Sequence, residues 1–525
     1  MIPSLFNGTI SSSGCSAANV PYPALSGVDF LSLETNLVAN LSRNIGTGAY
    51  VNHGAVNVTN ANFCNVSISY THPGGNDLVN VQVWLPTENW NGRLQAIGGA
   101  GWQAGLHYAG LMGMTASVGE GYATVSTDAG LSSGSEVTPA KWGLIEEGKP
   151  NIRLLQNLAS DSLHEAAVIA KSITAAFYGE PAKYSYFTGC SQGGRQGLML
   201  AQKYPNDYDG IAAAAPAINW NSIAMQNAYP AFLMDLLREY PPSCEIDALT
   251  AAAIKACDGD DGLMDGILSD IGSCDFDPMS LVGTVINCTN FGTPREISLG
   301  AAQVISGAWD GAKRKDNSSI WFGPNKDAIL TGSITDISVV PTTCKANGTC
   351  TAGNAGLFSD WIKLFVLKNS SAPVTGLTQD EFDRIFDLGS KEYDSILATN
   401  EPDLSAFHQH GGKMITYHGM ADSVIPARGS VDYYEKVMSL DSDVKSFYRL
   451  FLAPGIHHCY GGPGGYPDTT FESLVQWVES DIAPDTLTAT SVDTNPIIQR
   501  PLCPFPLKQV YSKSALGTEQ EFSCQ

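Results

Sequence analysis

A mostly parallel α/β sheet interrupted by one large insertion is the fold class predicted for this 525-residue chain, on three observations. Strand-like and helix-like runs alternate from about residue 75 to residue 216, the signature of a sheet covered by helices. A sharp glycine-rich turn, Gly189-Cys-Ser-Gln-Gly193, interrupts that alternation between a strand and a helix. Between Ser191 and Asp422 lie roughly 230 residues, far more than the remaining strands of such a sheet need.

The elements follow in order. Asn80-Val-Gln-Val-Trp-Leu85, Arg93-Leu-Gln-Ala-Ile97 and Tyr122-Ala-Thr-Val-Ser126 read as strands separated by glycine turns. Residues 161–171 read as a helix, and Lys183-Tyr-Ser-Tyr-Phe-Thr188 as the aromatic-rich strand that enters the turn. Gly193 and Gly194 let the next helix, residues 195–203, start close to the sheet; Pro205 ends it, and residues 208–216 form the next buried strand. Lys413-Met-Ile-Thr-Tyr-His418 is a late strand, so residues 218–400 form the insertion. No internal repeat or low-complexity tract interrupts this plan.

The turn fits G-x-S-x-G, which in α/β-hydrolases lifts a serine hydroxyl clear of the sheet. Ser191 is then a nucleophile that needs a base and an orienting acid later in the chain, in the order Ser, Asp, His. Asp422 follows the strand at 413–418, in a loop that Val424 and Pro426 stiffen. Asp432 reads instead as a solvated helix residue, and His418 as a neighbour that packs or hydrogen-bonds near the site. His458 is preferred over His457 as the base because Cys459 stands next to it, as Cys190 stands next to Ser191. Bringing Ser191 and His458 within hydrogen-bond reach brings Cys190 and Cys459 near disulfide distance. The oxyanion hole takes one donor from the Gln192 N–H and a second from the loop Ile97-Gly-Gly-Ala-Gly-Trp102, with Gly99 the first choice and Gly101 the next. Asp128 reads as a structural carboxylate of a turn.

A second motif runs from Cys257 to Ile267, Cys-Asp-Gly-Asp-Asp-Gly-Leu-Met-Asp-Gly-Ile. Carboxylates that repel one another, spaced by glycines that let carbonyls turn inward, suit a hard cation such as Ca²⁺. The twelfth position from Asp258 is Ser269, not the glutamate of an EF-hand. Cys257 and Cys274 bracket this loop and read as the disulfide that closes it.

Composition limits the partners. A net charge of −23 argues against nucleic acid and anionic membranes, and no run of apolar residues is long enough to span a bilayer. Twelve cysteines and sequons at Asn7, Asn40, Asn57, Asn65, Asn287, Asn317, Asn347 and Asn369 point to an oxidising, extracellular setting. No sequon falls between Asn65 and Asn287, around the elbow. The first residues lack a basic segment and an apolar run, which reads as a secretory signal removed and replaced by a start methionine.

In Gly189-Cys-Ser-Gln-Gly-Gly194, Gly419-Met-Ala-Asp422, His458-Cys459 and the acidic glycine-rich loop, the chain resembles the tannase and feruloyl esterase family over nearly its whole length. The likeness is nearest to fungal feruloyl esterases of the B/C type, and a bacterial hydrolase of mono(hydroxyethyl) terephthalate shares the motifs. The resemblance implies an α/β-hydrolase catalytic domain from residues 1–217 and 401–525, with residues 218–400 as a lid carrying a structural Ca²⁺ loop. It implies a triad of Ser191, Asp422 and His458 with a Cys190–Cys459 bridge. It places the side chains of Asp258, Asp261 and Asp265 and the carbonyls of Leu263 and Ile267 on the metal. It also implies Cys15–Cys64 and Cys503–Cys524; Cys344–Cys350 is a local pair, and Cys244–Cys288 remains, which the sequence alone does not establish. The expected activity is that of a secreted serine ester hydrolase, with no organic cofactor, acting on small phenolic esters and feruloylated plant cell-wall saccharides. It would release hydroxycinnamic acids such as ferulate; galloyl esters, as in tannases, are the alternative acyl group. A calcium-dependent secreted glycan-binding protein on an inactive hydrolase scaffold is the reading from another class, and the intact Ser, Asp and His speak against it.

Overall fold

The computed structural model describes residues 14–131, 138–270, 272, 274–288, 293–332, 338–345, 348–353, 356–492, 494, 497–513 and 520–525. Among these residues the central sheet has nine strands, numbered in chain order within that sheet alone. They are β1 (Asp29–Ile45), β2 (Val56–Thr71), β3 (Val79–Pro86), β4 (Arg93–Ile97), β5 (Ala123–Thr127), β6 (Tyr184–Cys190), β7 (Gly210–Ala214), β8 (Lys413–Gly419) and β9 (Tyr448–Ala453). The spatial order is β1-β2-β3-β5-β4-β6-β7-β8-β9. β1, β2 and β3 pair antiparallel with one another, and β3 pairs antiparallel with β5. From β5 to β9 every pairing is parallel.

Alternation along the parallel strands feeds two layers, since successive side chains leave opposite faces. On β6, Phe187 joins Leu94, Val125, Ile169 and Ile173 in one core. Its neighbour Tyr186 joins Ile415, Tyr417, Phe471 and Trp477 in the other. Helix Asp161–Tyr178 covers the first face and helix Thr470–Ser480 the second. This is the α/β-hydrolase fold expected, with an antiparallel ribbon added at one edge.

Between β7 and β8 none of the described residues contributes a strand to the main sheet. This segment builds its own core instead, from Ile246, Leu249, Val304, Ile305 and Leu330. It meets the rest of the molecule at an aromatic seam where Trp102 packs edge-on to Trp220, with centroids 5.0 Å apart, and stacks on Trp361 at 6.2 Å. Six disulfides close the chain: Cys15–Cys64, Cys190–Cys459, Cys244–Cys288, Cys257–Cys274, Cys344–Cys350 and Cys503–Cys524. They reproduce the expected pairing, including the pair that the sequence alone left open.

Of the eight sequons, Asn7 and Asn347 lie outside the described residues. Asn40, Asn57, Asn287, Asn317 and Asn369 are exposed and Asn65 is half-buried. Among the described residues no helix is long and apolar enough to cross a membrane.

Candidate active site

The elbow is built by strain and by close approach. Ser191 has φ 63°, a left-handed conformation that a non-glycine residue keeps only when its surroundings enforce it. Those surroundings are tight: a Cβ at Gly189 would lie 2.7 Å from the carbonyl carbon of Gly193, and one at Gly194 would lie 2.1 Å from the oxygen of Ala214. Both positions therefore require glycine, and helix Gln192–Lys203 starts directly against β7.

The late residues converge on this hydroxyl. His458 Nε2 lies 2.9 Å from Ser191 Oγ, and His458 Nδ1 lies 2.7 Å from Asp422 Oδ2. Asp422 is fully buried after β8, and its Oδ1 accepts the N–H groups of Val424 and Ile425, both at 2.9 Å. Burial by itself would raise its pKa, but the imidazoles of His458 and His418 outweigh burial and hold the carboxyl well below the usual range. An ionised Asp422 fixes the proton on His458 Nδ1 and leaves Nε2 free to take one from Ser191. His418 stands 3.4 Å from Asp422 Oδ2 and 2.8 Å from the oxygen of Ile425, the supporting neighbour expected. The Cys190–Cys459 bridge, with its Cα atoms 6.0 Å apart, ties the residue before the nucleophile to the residue after the histidine. The Tyr417 hydroxyl donates to the Cys459 carbonyl at 2.6 Å, which anchors that bridge to β8.

In the oxyanion loop the first-choice donor, Gly99, is not free. Gly99 lines the cavity, but its N–H donates to Gln196 Oε1 at 2.8 Å and is already engaged. Gly101, the second choice, lines the same cavity with φ 55°, and its N–H has no acceptor among the described residues. The Gln192 N–H opens the helix that follows Ser191, where a first-turn donor lacks a helical acceptor.

Two residues that sequence reasoning missed hold this geometry. Gln196, fully buried on the elbow helix, takes the Gly99 N–H and gives its own amide to the Ala104 carbonyl at 2.9 Å. Arg195 is fully buried with neutral acceptors: Gln192 Oε1, the carbonyls of Leu158 and Ala159, and the Thr399 hydroxyl. Burial among them lowers its pKa to about 9. No local signal marks either residue, since each role depends on partners from other elements.

The remaining candidates stand apart from the triad. Asp128 accepts from the Asn80 backbone and side chain and from Gly130, a satisfied structural carboxylate as expected. Asp432 pairs with Lys436 along its own helix.

In the acidic loop, Asp258 accepts the N–H groups of Asp265 and Gly266, and Asp261 accepts that of Leu263. Asp265 accepts the Ile267 N–H and is ion-paired to Arg500. The donor chemistry, three carboxylates with the Leu263 and Ile267 carbonyls close in sequence, fits a hard cation. As placed, those carboxylates turn to backbone donors and Arg500, and no group of three or more His, Cys, Asp or Glu among the described residues is gathered around one point.

A cavity of about 510 Å³ opens over Ser191 and His458. Its walls come from both parts of the molecule: Ile97, Val424 and Ile425 from the sheet domain, Trp220 and Phe358 from the insertion. An acyl-transfer site with a mostly apolar wall is what this arrangement provides.

The family described as Tannase and feruloyl esterase matches residues 64–525. A probable feruloyl esterase of Arthroderma benhamiae is 37% identical over 519 residues, covering 97% of this chain and 93% of its own. A mono(2-hydroxyethyl) terephthalate hydrolase of Piscinibacter sakaiensis is 30% identical, covering 84% of this chain and 80% of its own. Among solved structures, the tannin acyl hydrolase from Aspergillus niger superposes with a TM-score of 0.85 at 27% identity, covering 99% of this chain and 96% of its own. The chain belongs to the tannase and feruloyl esterase family of carboxylic ester hydrolases.

Proposed function

We propose that this chain is a secreted serine esterase that releases hydroxycinnamic acids such as ferulate from plant cell-wall esters. The observation that carries the mechanism is His458 bridging Ser191 Oγ and the buried Asp422. His458 Nε2 takes the Ser191 proton as Oγ attacks the ester carbonyl, and Asp422 stabilises the imidazolium that results. The Gln192 and Gly101 N–H groups stabilise the tetrahedral oxyanion. Collapse of that intermediate breaks the bond to the alcohol, which leaves with the proton from His458. Water then attacks the acyl-enzyme with His458 again as base, returning the acid and the free Ser191 hydroxyl.

The hydroxycinnamoyl preference is supported by the name of the Arthroderma benhamiae relative. Secretion is supported by six disulfides and exposed sequons. By donor chemistry, Asp258, Asp261 and Asp265 with the Leu263 and Ile267 carbonyls would hold a Ca²⁺ ion, which would add stability and take no part in ester cleavage.

Hydrolysis of methyl ferulate, methyl caffeate, methyl p-coumarate and methyl gallate tests the reading. The expected result is the highest kcat/KM on a hydroxycinnamate. A preference for methyl gallate makes the chain a tannase, and cleavage of none of the four returns the inactive-scaffold reading.

A further inference from the structure

The cavity over Ser191 carries one strong acceptor outside the triad. Asp360, half-buried in the insertion, lines it just after the wall residue Phe358. Its Oδ2 accepts the Thr138 hydroxyl at 2.6 Å, and Thr138 Oγ1 in turn accepts the Ala140 N–H at 3.2 Å. Thr138 also lines the cavity, so the carboxylate is held across the gap between insertion and sheet domain. Oδ1 has no hydrogen-bond partner among the described residues. An ionised carboxylate only accepts hydrogen bonds, so its open lone pairs can take an O–H or N–H from a ligand in place of water.

The charge around the cavity has one sign. Among the described residues neither lysine nor arginine lines it. His107 lines it too, but burial lowers its pKa to about 4, so it is neutral in mildly acidic or neutral solution and supplies no positive charge. The Tyr50 hydroxyl is spent on Gln95 at 2.6 Å. A ring held between Trp220, Phe358 and Ile97 shares the cavity with Asp360 as a fixed charged group, and a negative group on the ring near it meets repulsion that no lysine or arginine of the described lining offsets.

We infer that Asp360, oriented by Thr138, accepts the phenolic hydroxyl of the substrate ring and selects hydroxyaryl esters over aryl esters ending in a carboxylate. This rests on the esterase reading and deepens it, because it names the group on the ring that is recognised. It separates this chain from its Piscinibacter sakaiensis relative, whose named substrate, mono(2-hydroxyethyl) terephthalate, ends its ring in a carboxylate.

The test is a ratio. In the wild type, kcat/KM for methyl p-coumarate exceeds that for methyl cinnamate, which lacks the hydroxyl. In Asp360→Leu that ratio falls about 10- to 100-fold, the usual worth of a hydrogen bond to a charged group. In Asp360→Asn, which keeps shape and one acceptor oxygen, the ratio falls less. Hydrolysis of mono(2-hydroxyethyl) terephthalate relative to methyl cinnamate rises in both variants as the repulsion is removed. Both ratios unchanged in Asp360→Asn overturns the assignment, and that isosteric variant decides the matter if the leucine variant does not fold. p-Nitrophenyl acetate is the control: wild-type protein that cleaves neither it nor any methyl ester refutes the esterase reading itself. Wild-type protein that cleaves p-coumarate and cinnamate equally refutes only the role of Asp360.

Discussion

Two histidines in this molecule, His458 beside the elbow and His72 just past the end of β2, are each hydrogen-bonded to a buried carboxylate at 2.7 Å. Their side chains are buried almost equally, 9% and 11% exposed, so burial does not distinguish them. The second partner does. His458 faces a serine hydroxyl across its other nitrogen, and His72 faces a second carboxylate, Glu165, at 2.8 Å. A hydroxyl can surrender a proton to a ring nitrogen, whereas a carboxylate on each side of a ring holds that ring in place. His72 is accordingly a fixed bridge between Asp77 and Glu165. It is locked further by Asn157, which donates to Asp77 at 2.7 Å, and by Tyr70, which donates to Glu165 at 2.5 Å. The same two residue types thus face a hydroxyl in one place and close a structural cluster in the other.

The largest expected effect tests the catalytic half of that contrast. Ser191→Ala leaves His458 and Asp422 in contact but removes the group that gives up the proton. Turnover is expected to drop by a factor on the order of 10⁴–10⁶ with the melting temperature nearly unchanged. A variant with near-normal turnover would refute the assignment.

His72→Ala is expected to do the reverse. It leaves Asp77 and Glu165 without the ring that bridges them, so unfolding in urea should show a loss of about 1–3 kcal/mol. The kcat of the folded fraction should stay at the wild-type value; a large fall in kcat would mean that the cluster shapes the active site after all. The pH dependence has a definite sign. Burial raises the Asp77 pKa, but hydrogen bonds from the His72 backbone, Asn157 and the His72 ring outweigh it, so the net shift is downward. Its contribution is therefore complete above the ordinary carboxylate range near pH 4 and is lost as pH falls through the lowered value. Asp77→Asn should flatten that acid limb of the stability curve.

A smaller effect on rate is expected from Cys190→Ala/Cys459→Ala. Without the bridge the Ser191–His458 distance is held by loops alone, and an error of about 1 Å costs roughly 100-fold. A fall in kcat with little change in KM is the expected signature. Unfolding at ordinary temperature would make the bridge a stability element instead.

Smallest is the acidic loop. Chelation should lower the melting temperature by mass action and leave kcat nearly intact, with Asp261→Ala reproducing the shift. Calcium-free purified protein, measured by elemental analysis, would remove the ion from the account.

What the chain discloses on inspection follows the same division. Ser191, Asp422 and His458 were legible because each sits in a short peptide with its own mark: the elbow glycines, the strand before the acid, the paired cysteines. Gln196, Arg195 and the His72 cluster were not, because their partners lie on other elements, Glu165 being 93 residues from His72. Gly99 was misassigned for the same reason: a loop reveals its glycines, but a side chain from another helix decides which N–H stays free. The ribbon of β1 and β2 went unread although its strands run to 17 and 16 residues. β1 is buried only at its last residue, Ile45, so the apolar alternation that marks a strand is absent there.

The aromatic seam also equips the molecule with a spectroscopic reporter. Of its nine tryptophans, Trp102 and Trp142 come from the sheet domain and Trp220 and Trp361 from the insertion, with Trp102 within 6.2 Å of the other three. Indole rings at such separations couple their transitions, so near-ultraviolet circular dichroism registers how the insertion is seated on the sheet domain. Any ligand, pH change or substitution that shifts the two parts against each other would show in that signal before a single ester is cleaved.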